Sequence, residues 1–196
     1  MIKIYMYNLL NAPNAFDEEI LKNIPRSRIE KINRYSFLKD KKQCYGAGIL
    51  INHICKEYNI DINSYKIGLN GKPQLKGIYF NISHSNEIVI CAVSDNDIGC
   101  DIEMIKQEPK GVAERFFSKN EMMFLLNSNN REEAFYDIWT KKESYLKMVG
   151  SGLSQLRDLD VISQKEVKFY TIKIDNYIIN VCSTEQVFEK DIVVIE

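Results

Sequence analysis

The chain has 196 residues, 45% of them hydrophobic and 27% charged, with a formal net charge of −1. That is enough for one globular domain or two small lobes, and too apolar for a disordered segment. Balanced charge argues against nucleic acid as a partner, no run of about 18 apolar residues suits a membrane span, and the opening residues lack a signal-peptide layout, so a soluble, cytoplasmic protein is expected.

Residues 2–7 alternate as a strand. A polar turn with Pro13 and a short helix over 16–23 come next, and Pro25 then opens a second helix that sets Arg28, Lys31 and Arg34 along one face. Between residues 22 and 42, eight lysines and arginines stand against only Glu30 and Asp40. This local excess suits an anionic small molecule or an acidic partner, with a solvated basic face as the plain alternative. Apolar spacings of three and four predict a long helix over 40–58, with His53 at its surface or core edge. A strand around 66–69 leads to the turn Asn70-Gly71-Lys72-Pro73, where Lys72 is either an exposed loop lysine or a phosphate contact.

The stretch from Phe80 to Glu103 carries the most information. Residues 88–94 read as a buried strand, and the polar turn Asp95-Asn96-Asp97 predicts a hairpin into the next one. In that next strand Asp101 and Glu103 point the same way, while Ile98, Cys100 and Ile102 share the opposite, core-directed face. Two ionised carboxylates about 5 Å apart cost roughly 3 kcal/mol at an effective dielectric near 20. A hard divalent cation or a neighbouring Lys or Arg would relieve that, unless these are simply solvated edge residues.

Beyond it the pattern turns helical. Glu108-Pro109 opens a helix reaching Phe117, and capping patterns at Ser118 with Glu121 and at Asn130 with Glu133 start two more. The last runs from Arg131 to Val149 and stops at Gly150. Phe135, Ile138, Trp139, Leu146 and Val149 form its apolar stripe, and Glu143 and Lys147 fall at the rim, where they are also an ordinary i, i+4 pair. Strands are expected near 158–162, 167–174, 177–183 and 191–195. Residues 87–94 echo residues 176–183, which predicts an α+β fold of two similar α/β halves, 1–100 and 101–196, in a pseudo-twofold arrangement with the active site in the cleft between them.

The five cysteines, none in a Cys-x-x-Cys pair, read as reduced core thiols. With two histidines a zinc site is disfavoured, and no Gly-rich phosphate loop or Gly-x-Ser-x-Gly elbow is present. A carboxylate-based hard-metal site with nearby lysines and arginines remains, the inventory of phosphoryl chemistry.

Five segments taken in order, Asn70-Gly-Lys-Pro73, Phe80-Asn-Ile-Ser-His-Ser85, Ile98-Gly-Cys-Asp-Ile-Glu103, Arg115-Phe-Phe-Ser118 and Trp139-Thr-Lys-Lys-Glu-Ser-Tyr-Leu-Lys147, resemble the surfactin-type 4'-phosphopantetheinyl transferases. The resemblance implies the fold of that family and the transfer of phosphopantetheine from coenzyme A, with Mg2+, to a serine of an apo acyl or peptidyl carrier protein, releasing adenosine 3',5'-bisphosphate. It assigns Asp101, Glu103 and Glu143 to magnesium, Glu143 also as base, and Lys147 to the pyrophosphate. Ser83, His84, Lys72, Arg28 and Lys31 become phosphate contacts, His84 at the 3'-phosphate. Gln43 stands where many members carry arginine, and Arg28 replaces a common lysine, which keeps the charge and changes its geometry. An internally doubled chain is expected to be a monomer. A coenzyme A or carrier-binding module without activity and a magnesium-dependent phosphohydrolase are the competing readings. The carrier-reading surface is expected around 111–127, with Phe117 and Phe124 as core.

Overall fold

A computed structural model of the chain describes residues 1–14, 16, 18–184 and 188–195. In chain order its regular elements are β1 (Ile2–Asn8), α1 (Glu18–Leu21), α2 (Arg26–Arg34), α3 (Leu38–Glu57), β2 (Lys66–Ile67), β3 (Pro73–Gln74), β4 (Tyr79–Ser85), β5 (Ile88–Ser94), β6 (Ile98–Met104), α4 (Val112–Phe116), α5 (Lys119–Leu126), α6 (Arg131–Val149), β7 (Lys168–Ile174), β8 (Tyr177–Ser183) and β9 (Phe188–Ile195). The helices at 26–34, 38–57 and 131–149 follow the sequence pattern closely. So do their signals: Ser118 and Glu121 form a reciprocal capping box, Asn130 accepts from the Glu133 N–H, and Gly150 ends α6 at φ 71°.

Four strands form one sheet in the order β4-β5-β1-β9 and three form another in the order β6-β8-β7. Each contains a hairpin whose second strand pairs antiparallel with the strand that opens the unit: β4 and β5 against β1, β7 and β8 against β6. The echo between residues 87–94 and 176–183 is therefore β5 matched with β8. The last strand, β9, leaves its own unit and adds to the first sheet parallel to β1.

Helix α3 covers one face of the first sheet, where Tyr45, Leu50, Ile51 and Ile54 meet Tyr5, Val89 and Cys91. On the other side Phe135, Ile138 and Leu146 of α6 pack with Phe117, Leu125 and Ile178. The sheets share a third apolar layer, Ile2, Ile4, Ile90 and Ala92 against Ile98, Cys100, Ile102, Ile179 and Val181. Ile98, Cys100 and Ile102 thus face the core as their alternation required.

Several expectations need correction. β5 and β6 do not form a hairpin; β5 is paired on both edges by β4 and β1, so β6 crosses to the other sheet and pairs with β8. Residues 158–162 are not a strand, because the Asp160 side chain accepts from the N–H groups of Ile162 and Ser163 and holds a turn. The helix begun at Pro109 starts at Val112, after Gly111 at φ 76°. The helix expected over 16–23 is confined to Glu18–Leu21, and residue 17 lies outside the described residues. Phe117 is buried, but Phe124 is 45% exposed, as is Val149 at 46%. Among the described residues no helix is long and apolar enough to cross a membrane.

Candidate active site

The site is built where the edge strands β4 and β6 lie side by side beneath α6. Alternate residues of β4, Asn81, Ser83 and Ser85, are buried polar groups on one face of the strand, opposite Phe80, Ile82 and His84. They satisfy the free edge of β6: Cys100 N–H donates to Asn81 Oδ1 at 3.0 Å and Met104 N–H to Ser85 Oγ at 3.1 Å. A sheet edge left open there would carry unpaired backbone donors.

The same ladder fixes the acids. Ser83 donates to Asp101 Oδ1 at 2.7 Å and Ser85 to Glu103 Oε2 at 2.8 Å. From α6 the Lys147 ammonium donates to the same Asp101 oxygen at 2.7 Å and to Ser83 Oγ at 2.8 Å. Three distant pieces of chain thus converge on one carboxylate. Helix and strand can come this close because position 99 is glycine; a Cβ there would lie 1.9 Å from the Ser144 carbonyl oxygen and 2.5 Å from the Met148 nitrogen.

The electrostatics are strained in one direction. Burial, then the charge of Asp101, raises the pKa of Glu143, with Glu103 adding to it; burial, and again Asp101, raises Glu103 against the hydrogen bond from Ser85. Burial opposes the charge on Lys147, but Asp101, Cys100 and Glu143 together outweigh it, so its pKa rises. Asp101 Oδ2 is buried with no hydrogen-bond partner. Among the described residues no three His, Cys, Asp or Glu side chains, as they stand, form a set that could hold a metal ion, and the cation beside Asp101 is Lys147. Even so, an orphaned carboxylate oxygen and two acids raised by burial and then by their neighbours' charge are what a divalent cation would relieve, and Asp101, Glu103 and Glu143 would offer it oxygen donors only.

The positive groups expected to bind phosphates are placed separately. Desolvation, then the charges of Lys147 and Arg28, lowers the pKa of His84. On β4 His84 alternates with Ser83 and Ser85, so its side chain leaves the opposite face of the strand. The Arg28 guanidinium lies 5.9 Å from the centre of the Tyr65 ring, and its Nε is buried without a hydrogen-bond partner. Lys31, one turn along α2, is exposed, with its ammonium 5.7 Å from the Tyr35 ring centre. Lys72 stands apart from this group: it donates to the Met148 carbonyl at 2.7 Å, at the negative end of α6, and burial lowers its pKa. It nevertheless lines, with Glu143 and Lys147, an open cavity of about 230 Å³ that Asn70, Gly71 and Gly150 also border. Gln43 is turned to structure, donating to the Asn86 carbonyl at 3.3 Å in the β4–β5 turn.

Sequence reasoning missed Ser85, Gly99 and Lys142. The first was legible in the polar alternation at 81, 83 and 85. Lys142 carries a buried charge that no pattern announces: it is wholly buried, 2.9 Å from the equally buried Glu121, and donates to the carbonyls of Leu156 and Leu159. Glu121 also accepts from the Ser118 and Val161 N–H groups. This junction ties α5, α6 and the following loop together and sets the roll of α6, on which Glu143 is the next residue.

A family model described as the 4'-phosphopantetheinyl transferase superfamily matches residues 97–192. The 4'-phosphopantetheinyl transferase Sfp of Bacillus subtilis strain 168 is 35% identical over 159 residues, which is 77% of this chain and 70% of that protein. The 4'-phosphopantetheinyl transferase gsp of Aneurinibacillus migulanus is 32% identical over 154 residues, 74% of this chain, and the match spans 65% of that relative's length. The chain belongs to the 4'-phosphopantetheinyl transferase superfamily. Among solved structures, the holo-[acyl-carrier-protein] synthase of Thermotoga maritima aligns with a TM-score of 0.32 at 18% identity, over 44% of this chain and 61% of that one.

Proposed function

We propose that the chain transfers the 4'-phosphopantetheine arm of coenzyme A to a serine of an apo acyl or peptidyl carrier protein, with magnesium, and releases adenosine 3',5'-bisphosphate. The observation that supports this reading best is the convergence of Lys147, Ser83 and Asp101 at 2.7 to 2.8 Å, with Glu103 two residues on along β6 and Glu143 one turn before Lys147 on α6. Carboxylates gathered around a lysine match a substrate that carries a pyrophosphate and must be attacked by a neutral hydroxyl.

In this scheme Asp101, Glu103 and Glu143 hold a magnesium ion, which when bound neutralises charge on the pyrophosphate oxygens. Arg28, Lys31, His84 and Lys72 bind coenzyme A phosphates, His84 the 3'-phosphate. Glu143, its pKa raised, accepts the proton of the carrier serine hydroxyl. The serine oxygen forms a bond to the β-phosphorus as the bond from that phosphorus to the bridging oxygen breaks. Lys147 neutralises charge growing on that oxygen, which leaves with the adenosine bisphosphate.

The test is incubation with coenzyme A, magnesium chloride and a panel of apo carriers, followed by intact mass. A gain of one phosphopantetheine on the carrier serine supports the reading. Release of adenosine bisphosphate without carrier labelling would replace it with the phosphohydrolase, and binding with neither would leave a binding module.

A further inference from the structure

Helix α6 lies along the second sheet with its two edges over different strands. On one edge Asp137 accepts from Thr171 at 3.2 Å and Glu133 accepts from Lys173, both on β7. On the other edge Lys147 reaches Asp101 of β6. Between the edges Thr140 accepts from Asn180 of β8 at 2.8 Å, and the Ser144 backbone lies against Gly99. By the 100° step of the helix, Tyr136, Glu143 and Lys147 fall within about 40° of one another, so Tyr136 belongs to the edge over β6.

The strand register gives its level. Thr171, Asn180 and Asp101 are cross-strand partners in one row, and Lys173, Ile178 and Glu103 form the row two residues further along β6. Four residues back along α6 cover about 6 Å and two residues on along β6 about 6.6 Å, so helix and strand keep step. Ser144 stands at Gly99, Thr140 at the row of Asp101, and the next step brings Tyr136 to the row of Glu103. Tyr136 shares an apolar cluster with Ile178, the cross-strand partner of Glu103. Helical side chains lean toward the N-terminus, which here carries the ring further toward Glu103.

Tyr136 is 3% exposed, and its hydroxyl is buried without a hydrogen-bond partner. A buried phenol ordinarily has one. Burial, then the charge of Glu103, raises its pKa, in agreement with the placement. Ser85 donates to Glu103 Oε2, which leaves Oε1 to accept from another donor. Carboxylates that ligate a cation are themselves held by hydrogen bonds from an outer row of donors. We infer that Tyr136 is a positioning residue of the cation site, its hydroxyl donating to Glu103 Oε1 when that acid turns to a divalent cation shared with Asp101 and Glu143. Tyr136 has this role only if those three acids are cation ligands, as the proposed function requires. As it stands, the hydroxyl lowers stability, because a buried donor without an acceptor keeps its desolvation cost.

The experiment titrates manganese(II) into the wild type and Tyr136→Phe with saturating coenzyme A and no carrier, and follows loss of the paramagnetic resonance signal of the free ion. The manganese Kd of Tyr136→Phe is expected to rise by about tenfold or more. The magnesium concentration for half-maximal transfer should rise with it, while turnover at saturating magnesium stays close to the wild-type value. The metal-free Tm is expected at or above that of the wild type, because the variant keeps the ring and loses only the unpartnered hydroxyl. A packing role predicts the reverse, a lower metal-free Tm and an unaltered Kd. An unchanged manganese Kd overturns the inference whatever the Tm. So does a raised Kd with a lowered metal-free Tm, since the hydroxyl would then be bonded elsewhere in the protein. Failure of the wild type to bind manganese in the presence of coenzyme A removes the cation reading itself, a result distinct from either.

Discussion

Gly99 on β6 and Ser144 on α6 touch backbone to backbone: a methyl group at position 99 would sit 1.9 Å from the Ser144 carbonyl oxygen. The same contact sets Lys147, one turn further along α6, at 2.7 Å from Asp101. Gly99→Ala therefore forces strand and helix apart. Overpacking of this severity costs about 3 kcal/mol, and in a chain of this size that lowers Tm by roughly 6 to 12 °C. Thermal melts check the stability, and the transfer assay should show the site failing with it.

Glu143 is the acid most exposed to the consequences of its neighbours. Glu143→Gln removes a charge that Asp101 and Glu103 oppose, so the variant should melt at or slightly above the wild-type temperature. Its turnover should fall by roughly 100- to 10,000-fold, the usual contribution of a positioned base. A folded Glu143→Gln protein with undiminished transfer would take that residue out of the chemistry.

Arg28 and Lys31 are assigned to binding rather than bond making. Replacing both by alanine should raise the KM for coenzyme A by roughly tenfold or more, at about 1.5 to 3 kcal/mol for each charged hydrogen bond lost, and lower turnover at saturation far less. If His84 holds the 3'-phosphate, dephospho-coenzyme A binds the wild type more weakly than coenzyme A does, and His84→Gln narrows that gap.

The pH dependence of stability carries two opposite signs. His84 has its pKa lowered, so the unfolded chain takes up more protons between that value and the ordinary 6.5. Its contribution is present above 6.5 and is lost as pH falls through the lowered value. Glu103 and Glu143 are raised above 4.5, and their contribution, present below 4.5, is lost as pH rises through their folded values. Tm against pH for the wild type and for His84→Gln separates the two: the variant should show a shallower loss on acidification below 6.5. Asp101, Lys147 and Arg28, whose charges act on His84, are common to both proteins and cancel in the difference.

The Glu121–Lys142 pair makes a fifth prediction. Lys142→Met leaves a wholly buried carboxylate uncompensated, at a cost of about 3 to 5 kcal/mol. Glu121→Gln combined with Lys142→Met should be less destabilised than Lys142→Met alone. Urea melts of the three proteins give the comparison directly.

Local chemistry was readable and long-range pairing was not. Period-two alternation put Asp101 and Glu103 on one face, and caps at Ser118, Asn130 and Gly150 bounded the helices, because each signal is complete within a few residues. The turn Asp95-Asn96-Asp97 misled for the opposite reason. Two apolar strands joined by three polar residues look alike whether they pair with each other or with strands far away, and the choice is made by β1, β4 and β8. Lys142 escaped notice because a lysine in a helix is ordinarily solvated; only the fold reveals the acid and carbonyls waiting for it. The residues of the site were legible as types at set spacings, whereas the hydroxyl ladder joining them depended on which two sheet edges met.

The final strand, pairing Ile2 with Phe188 and running on beside β1, means that the first sheet acquires its fourth member only after the second unit has emerged. During synthesis, the amino-terminal lobe waits with the edge of β1 uncovered, a hazard for intermolecular pairing. Closing so long a loop is also a slow event, so folding yield in the cell should respond to anything that hastens or delays the arrival of β9.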